Sequence, residues 1–253
     1  MVLAQPGKED QSLSARATPD MEHAETTTVG SLRLKLYDQL LQFPLFQGLS
    51  RSELLQMAGN TKFGFLKLPA GKDVAHEGDP CTQLHFLVSG QLEVERASDD
   101  RSYSISEQLS APWLLSPESL FGASTRYPYS ARTLSEAHFI TLSKDEVLRL
   151  LDDFLIVRLN FLNLYATLSQ RRNHLMWRRC PKTLSDRIVR FLLDHCVYPA
   201  GPKELHILMT QLAEELNDSR INVSRALNDL QARGLLKLRR GCIEVPSLEH
   251  LFM

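Results

Sequence analysis

The period of the apolar residues changes along this chain, and the change limits the folds open to it. Between about Lys62 and Ser143 the period is two, and Gly or Pro recurs about every 8–12 residues. These turn signals are Pro69-Ala70-Gly71, Glu77-Gly78-Asp79-Pro80 and Ser89-Gly90, with Ser98-Asp99-Asp100 as a polar break. The strands expected between them are Thr61–Leu68, Asp73–Ala75, Gln83–Val88, Gln91–Arg96, Tyr103–Gln108 and Ala137–Leu142. No helix-length apolar pattern separates them, which excludes βαβ units and leaves a small β barrel or sandwich.

On both sides the spacing is helical. Leu32, Leu36, Leu40 and Leu41 keep a helical period until Phe43-Pro44, and Ser50 with Glu53 forms a capping box opening a helix over Glu53–Ala58. After Ser143, itself a cap, Asp145 and Glu146 occupy a first turn and a long helix follows. It carries two apolar series: Leu155, Leu159, Leu162, Ala166 and Ser169, and beside them Val157, Phe161, Leu164, Leu168 and Leu175. One stripe can pack on the strands while the other meets a second chain. On spacing alone a core helix of a monomer fits equally well.

At 253 residues the chain has room for two domains, and with 43% hydrophobic and 23% charged residues it is ordinary globular material. The first thirty residues are polar and read as a disordered tail, with Met21 as a second candidate start. The formal net charge of −1 hides an asymmetry. Residues 1–157 hold 14 Lys+Arg against 21 Asp+Glu, a balance of −7, whereas residues 158–253 hold 15 against 9, a balance of +6. This is the pattern expected when only one part meets a polyanion. Cys81, Cys180, Cys196 and Cys242 form no CxxC pair, so free thiols in a reducing cytoplasm are expected, with no metal site. No apolar run is long enough to span a membrane.

Cys180-Pro181-Lys182-Thr183 reads as a hinge, followed by a helix over Leu184–Cys196 and a turn over Tyr198–Pro202. In LMTQLAEELNDSRINVSRALN, residues 208–228, Thr210 can cap a helix over Gln211–Leu216, Asn217-Asp218 make a turn, and Ser219 caps a second helix. That second helix places Ile221, Val223, Ala226, Leu227 and Leu230 on one side. The pattern is a helix-turn-helix, whose second helix enters the DNA major groove. Arg220, Asn222, Ser224 and Arg225 are placed to reach bases and phosphates, and Thr210 and Ser219 at the two helix starts join them as candidate DNA contacts. Ala232-Arg233-Gly234 ends the helix, and Leu235–Leu238 with Cys242–Val245 form a wing whose tip carries Arg239 and Arg240, set to hold phosphate.

At this point the chain resembles bacterial transcription regulators of the Crp/Fnr family. The segment TQLAEELNDSRINVSRALNDLQARGLLKLRRGCIEV is similar to the family's C-terminal domain, and PAGKDVAHEGDPCTQLHFLVSGQLEV resembles its β-roll entry, with Gly71, Gly78 and Gly90 at turn positions. The resemblance spans about residues 31–250. It implies an α+β chain: a β-roll sensor domain of jelly-roll type (31–153), a dimerisation helix and hinge (154–180) and a winged helix-turn-helix domain (181–253). It also implies a homodimer reading palindromic double-stranded DNA and contacting RNA polymerase. Arg220 and Arg225 fall on the family's contacting arginines, while Ile221 stands where well-known members carry Glu, so a different half-site is expected.

The sensor stretch LLSPESLFGASTRYPYSA departs from the cyclic-nucleotide pattern. Tyr129 takes the place of the phosphate-binding Arg, Ser130-Ala131 match the end of the motif, and Pro117 stands where Glu belongs, with Glu118 one residue off. Arg126 or Arg132 is left to replace the missing charge, and Glu118, Tyr129, Ser130 and Arg132 are the candidate effector residues. The signal is thus expected not to be a cyclic nucleotide. An iron–sulfur cluster is argued against by the missing N-terminal cysteine cluster. Haem stays open as cofactor, with His76, His85, His138, His174 or Met176 as ligands. No G-x-x-x-x-G-K-[ST], H-E-x-x-H or G-x-S-x-G motif supports an enzyme. The alternative is a ligand-binding or interaction module whose winged helix contacts protein.

Overall fold

Glycines and polar turns set the strand ends here, and Gly90 shows why. Its φ is +101°, and a Cβ there would lie 2.5 Å from the Glu136 carbonyl oxygen and 2.8 Å from Ala137 Cα. Only glycine lets β3 turn into β4 against that neighbouring backbone. The computed structural model describes residues 36–177 and 179–251; the expected N-terminal tail lies outside the described residues.

The elements are α1 (Arg51–Asn60), β1 (Gly64–Leu68), β2 (Asp73–Ala75), β3 (Gln83–Ser89), β4 (Gln91–Ala97), β5 (Ser104–Ser110), β6 (Trp113–Leu115), β7 (Ser130–Thr133) and β8 (Ala137–Ser143). Then come α2 (Lys144–Asp153), α3 (Leu155–Met176), α4 (Leu184–His195), β9 (Lys203–His206), α5 (Met209–Glu215), α6 (Arg220–Ala232), β10 (Lys237–Arg239) and β11 (Cys242–Val245). The Ser50–Glu53 capping box is formed, and Ser143 Oγ accepts from Glu146 N.

One antiparallel sheet has the order β1-β8-β3-β6 and packs on part of the other, β10-β11-β9-β5-β4-β7-β2. Leu87, Leu115 and Phe139 from the first meet Leu92, Val94, Leu109 and Ala131 from the second in a shared core. This is the expected β-roll. Three short strands, β6, β7 and β9, go beyond the sequence reading. Strands of three or four residues are too short to show a period.

The helix expected to run on from Ser143 is instead two helices. Phe154, buried and extended (φ −123°, ψ 104°), separates α2 from α3. Phe154 and Val157 both face the interior, so the apolar spacing runs through the break. Within α3 the two series divide cleanly. Val157 is buried, Phe161 packs edge-on against Phe121, and the Tyr165 hydroxyl donates to the Pro117 carbonyl. Leu155, Leu159 and Leu162 stand 63%, 50% and 58% exposed.

The longer sheet crosses from the roll into the winged domain. β5 pairs with β9 in the register Ser104↔His206, Ile105↔Leu205, Ser106↔Glu204 and Glu107↔Lys203. On one face of β5, Leu109 enters the roll core and Ile105 enters the core of the winged domain. Between them lies Glu107, 1% exposed, ion-paired at 3.1 Å to Lys203, also 1% exposed. The carboxylate further accepts from the amides of Val197 and Tyr198, and Lys203 Nζ donates to the Ala200 carbonyl at 2.7 Å.

Breaking a buried pair from one side strands the other charge. Lys203→Ala should therefore lower unfolding free energy by about 3–5 kcal/mol, while a Glu107→Leu, Lys203→Met double variant should lose much less. Urea unfolding of the three proteins checks this. A Lys203→Ala loss within experimental error would show that the pair does not hold the two cores together.

Candidate DNA interface and sensor site

The helix-turn-helix is built on a helix that clamps its turn. From α4, Arg187 donates to the Leu216 carbonyl at 2.8 Å and ion-pairs with Asp218. Asp218 also accepts from Asn222 Nδ2 at 2.9 Å and from Ser219 N at 2.8 Å, and these bonds, Asn222's first, hold its carboxyl below the usual range. Ser219 caps α6 as expected, its hydroxyl accepting from Asn222 N.

Val223, Ala226, Leu227 and Leu230 are buried along α6, while Arg220, Ile221, Asn222 and Arg225 are exposed and Ser224 is half-buried. Two expectations need correction. Ile221 is 71% exposed and lies outside the core face, because the buried residues at 223, 226, 227 and 230 turn position 221 outward. Thr210 is not a cap: α5 starts at Met209 behind Leu208, without a side-chain cap, and Thr210 is an exposed residue inside the first turn.

The wing is three-stranded, since β9 joins β10 and β11. Gln231 Oε1 accepts from Leu238 N at 2.7 Å and ties α6 to it. At the tip, Arg239 donates to Glu244 at 2.6 Å, so its charge is already balanced. Arg240 is exposed and engages no partner among the described residues. Arg220 and Arg225 of α6 are likewise exposed.

In the roll, each candidate effector residue is engaged with a partner of its own. Tyr129 is 2% exposed; its hydroxyl accepts from Ser116 N at 3.2 Å, and burial pushes its pKa to about 12. Ser130 accepts from Glu77 N, Arg132 is exposed and ion-paired with Asp73 at 2.8 Å, and Glu118 faces Arg172 of α3 at 3.6 Å. Arg126 donates to the Gly78 carbonyl at 2.6 Å. β7 places Ala131 and Thr133 inward, so Arg132 lies on the opposite side of the strand from the roll core.

Sequence reasoning missed Ser116. It is buried in left-handed conformation (φ 33°), with a hydroxyl that has no partner among the described residues. Such strained, unsatisfied positions concentrate at functional sites. No propensity rule points to a serine there.

The histidines weighed as haem ligands are dispersed. His76 pairs with Asp73 and His138 with Glu136 on the surface, and His174 is exposed on α3, which ends at Met176. His85 is buried with both nitrogens engaged, Nδ1 with the Tyr127 hydroxyl at 3.1 Å and Nε2 with Gln83 at 3.2 Å.

Comparison with known proteins agrees with this architecture. A cyclic nucleotide-binding domain model matches residues 65–154, and a Crp-like helix-turn-helix domain model matches residues 186–252. The chain belongs to the Crp/Fnr family of transcription regulators, with a cyclic-nucleotide-binding-type sensor domain ahead of a helix-turn-helix DNA-binding domain. It is similar to a CRP-like cAMP-activated global transcriptional regulator of Mycobacterium tuberculosis, at 21% identity over 213 residues, covering 82% of this chain and 94% of the relative. Among solved structures it is similar to the Thermus thermophilus catabolite activator protein (22% identity, 83% of this chain, 96% of the other, TM-score 0.45). The sensor domain of the regulator DNR from Pseudomonas aeruginosa gives 20% identity, 60% of this chain, 98% of the other and a TM-score of 0.48. Among the described residues no helix is long and apolar enough to cross a membrane.

Burial lowers the His85 pKa from 6.5 to about 4. The unfolded chain then takes up a proton that the folded chain refuses, so His85 contributes stability above pH 6.5 that is lost as pH falls toward 4. The loss is on the order of 3 kcal/mol. Urea unfolding at pH 7 and pH 4.5 should show His85→Gln losing less on acidification than the parent. Equal losses would mean that His85 protonates freely in the fold.

Proposed function

We propose that the chain is a homodimeric, sequence-specific transcription regulator that reads an imperfect palindrome with α6 and responds to a signal other than a cyclic nucleotide. The observation that carries this is the outward face of α6. Its N-terminal turns present Arg220, Ile221, Asn222 and Arg225 while the opposite face is locked into the winged domain. Arginine forms bidentate contacts with guanine and asparagine with adenine. The bond to Asp218 uses one Nδ2 hydrogen of Asn222, leaving the other and the carbonyl oxygen to meet an adenine edge. An exposed isoleucine between them suits a thymine methyl group.

The homodimer is supported by the stripe of Leu155, Leu159 and Leu162, continued by exposed Ala166 and Ser169 at a, d spacing on the side of α3 turned away from the roll. A dimer sets two α6 helices one DNA turn apart, about 34–36 Å between half-site centres. The relative named above is described as cAMP-activated. In this chain the position of the phosphate-binding arginine is filled by buried Tyr129, and Arg132 is committed to Asp73 outside the core, so neither of these two side chains offers a free cation to a cyclic phosphate.

Footprinting should show a protected palindrome whose affinity falls steeply with salt. Arg220→Ala should cost about 1–3 kcal/mol on the specific site and relax base preference, Ile221→Ser should weaken discrimination at a thymine, and Arg240→Ala should weaken all sequences alike. Leu159→Asp with Leu162→Asp should yield monomers by sedimentation and abolish the footprint. Failure to separate any genomic fragment from random DNA would return the winged helix to a protein-contact role. Cyclic AMP and cyclic GMP should leave binding unchanged. A Soret band in protein from a haem-replete host would identify haem as the sensor group.

A further inference from the structure

The register of the winged sheet assembles a set of metal-type ligands. β9 alternates Lys203 and Leu205 inward with Glu204 and His206 outward, and β11 alternates Ile243 and Val245 inward with Cys242 and Glu244 outward. The strands pair Cys242↔His206 and Glu244↔Glu204. Four donor residues therefore share one solvent-facing patch, placed by backbone pairing rather than by side-chain choice. A ligand atom from each of Glu204, His206 and Cys242 lies within 4.8 Å of the other two.

We propose that Glu204, His206 and Cys242 bind a zinc-class divalent cation. Zinc holds nitrogen, oxygen and sulfur donors at about 2.0–2.3 Å in a tetrahedron, which puts ligand atoms about 3.3–3.8 Å apart. Exposed side chains reach that spacing by rotamer adjustment of less than about 1 Å per group, with no backbone movement. Soft thiolate beside imidazole selects zinc or a similar transition ion over magnesium or calcium. Binding displaces the Cys242 thiol proton to solvent, and water takes the fourth position.

The same register supplies a second reason. Glu204 and Glu244 stand directly opposite each other on an open face, an arrangement that costs energy through like-charge repulsion. Arg239 compensates Glu244 at 2.6 Å, whereas among the described residues Glu204 ion-pairs only with His206, at 3.8 Å. A divalent cation between Glu204, His206 and Cys242 offsets that repulsion. It also bridges β9 to β11 one residue beyond the turn at Gly241, and so stiffens the wing. The site stands whether or not the wing contacts DNA.

Cobalt(II) serves as the spectroscopic probe. Titrated into the full-length reduced protein it should bind one equivalent, giving tetrahedral d–d bands and a thiolate-to-cobalt charge-transfer band, and zinc should displace it. Cys242→Ser should abolish the charge-transfer band. His206→Ala and Glu204→Gln should weaken binding by about tenfold or more, since losing even an outer partner of a metal ligand costs about 10–100-fold. Cys180→Ser, which removes an exposed thiol elsewhere, should leave the titration unchanged. Circular dichroism and thermal melting of the variants confirm that each still folds. No charge-transfer band in the parent, a band that survives Cys242→Ser, or affinities indifferent to His206 and Glu204 would each overturn the site.

Discussion

The structure depends on a charge pair that has left water. Glu107 and Lys203 are each 1% exposed, and neither could remain ionised there alone. Their mutual bond is supplemented on both sides: the carboxylate takes two backbone amides, and the ammonium gives to the Ala200 carbonyl. The carboxylate and the ammonium are thus both met by further partners, the condition under which a buried pair is tolerable. The pair also fixes registration. A slip of one residue between β5 and β9 would turn Lys203 to solvent, bring Glu204 inward beside Glu107, and withdraw Leu205 from the winged core. The alignment of the roll with the winged domain is specified by chemistry as well as by hydrogen-bond count.

From that seam the DNA-facing parts are positioned by short connections. β9 leads directly into α5, the wing hairpin pairs on β9, and Ile207 N reaches back to the Gly241 carbonyl at 3.1 Å. α4 secures the other side through Arg187, which binds the turn carbonyl of Leu216 and the side chain of Asp218. Asp218 in turn fixes the start of α6 and the amide of Asn222. The outward side chains of α6 therefore project from a helix whose first turn is held from below by a hydrogen-bonded chain, which limits the freedom they lose on meeting a partner.

Where local chemistry decides structure, the sequence was legible. The Ser50–Glu53 box, the caps at Ser143 and Ser219 and the turn at Asn217-Asp218 all depend on residues within four positions of one another. α6 and its outward arginines followed from the same signals. Pairing across a long loop was not legible. Lys203-Glu204-Leu205-His206 reads as a polar stretch with one leucine, and only the distant acid at Glu107 explains why its lysine is inside. The grouping of His206 with Cys242 is invisible for the same reason. Ile221 is apolar and so reads as a core residue, whereas helix geometry gives the deciding angle. Thr210 offers a capping hydroxyl, yet Leu208 occupies the extended position before α5.

The sensor domain shows how one short segment can belong to two assemblies. Ser116 N donates to the Tyr129 hydroxyl in the roll interior. The next residues face α3: the Pro117 carbonyl accepts from Tyr165, Glu118 meets Arg172, and Phe121 takes the edge of Phe161. Six consecutive residues thus join buried Tyr129 to the helix that bears the exposed leucine stripe. The left-handed backbone at Ser116 makes the junction stiff rather than slack, because a non-glycine residue stays at positive φ only where its surroundings fix it. Tyr129 and α3 thus hold opposite ends of the same short segment.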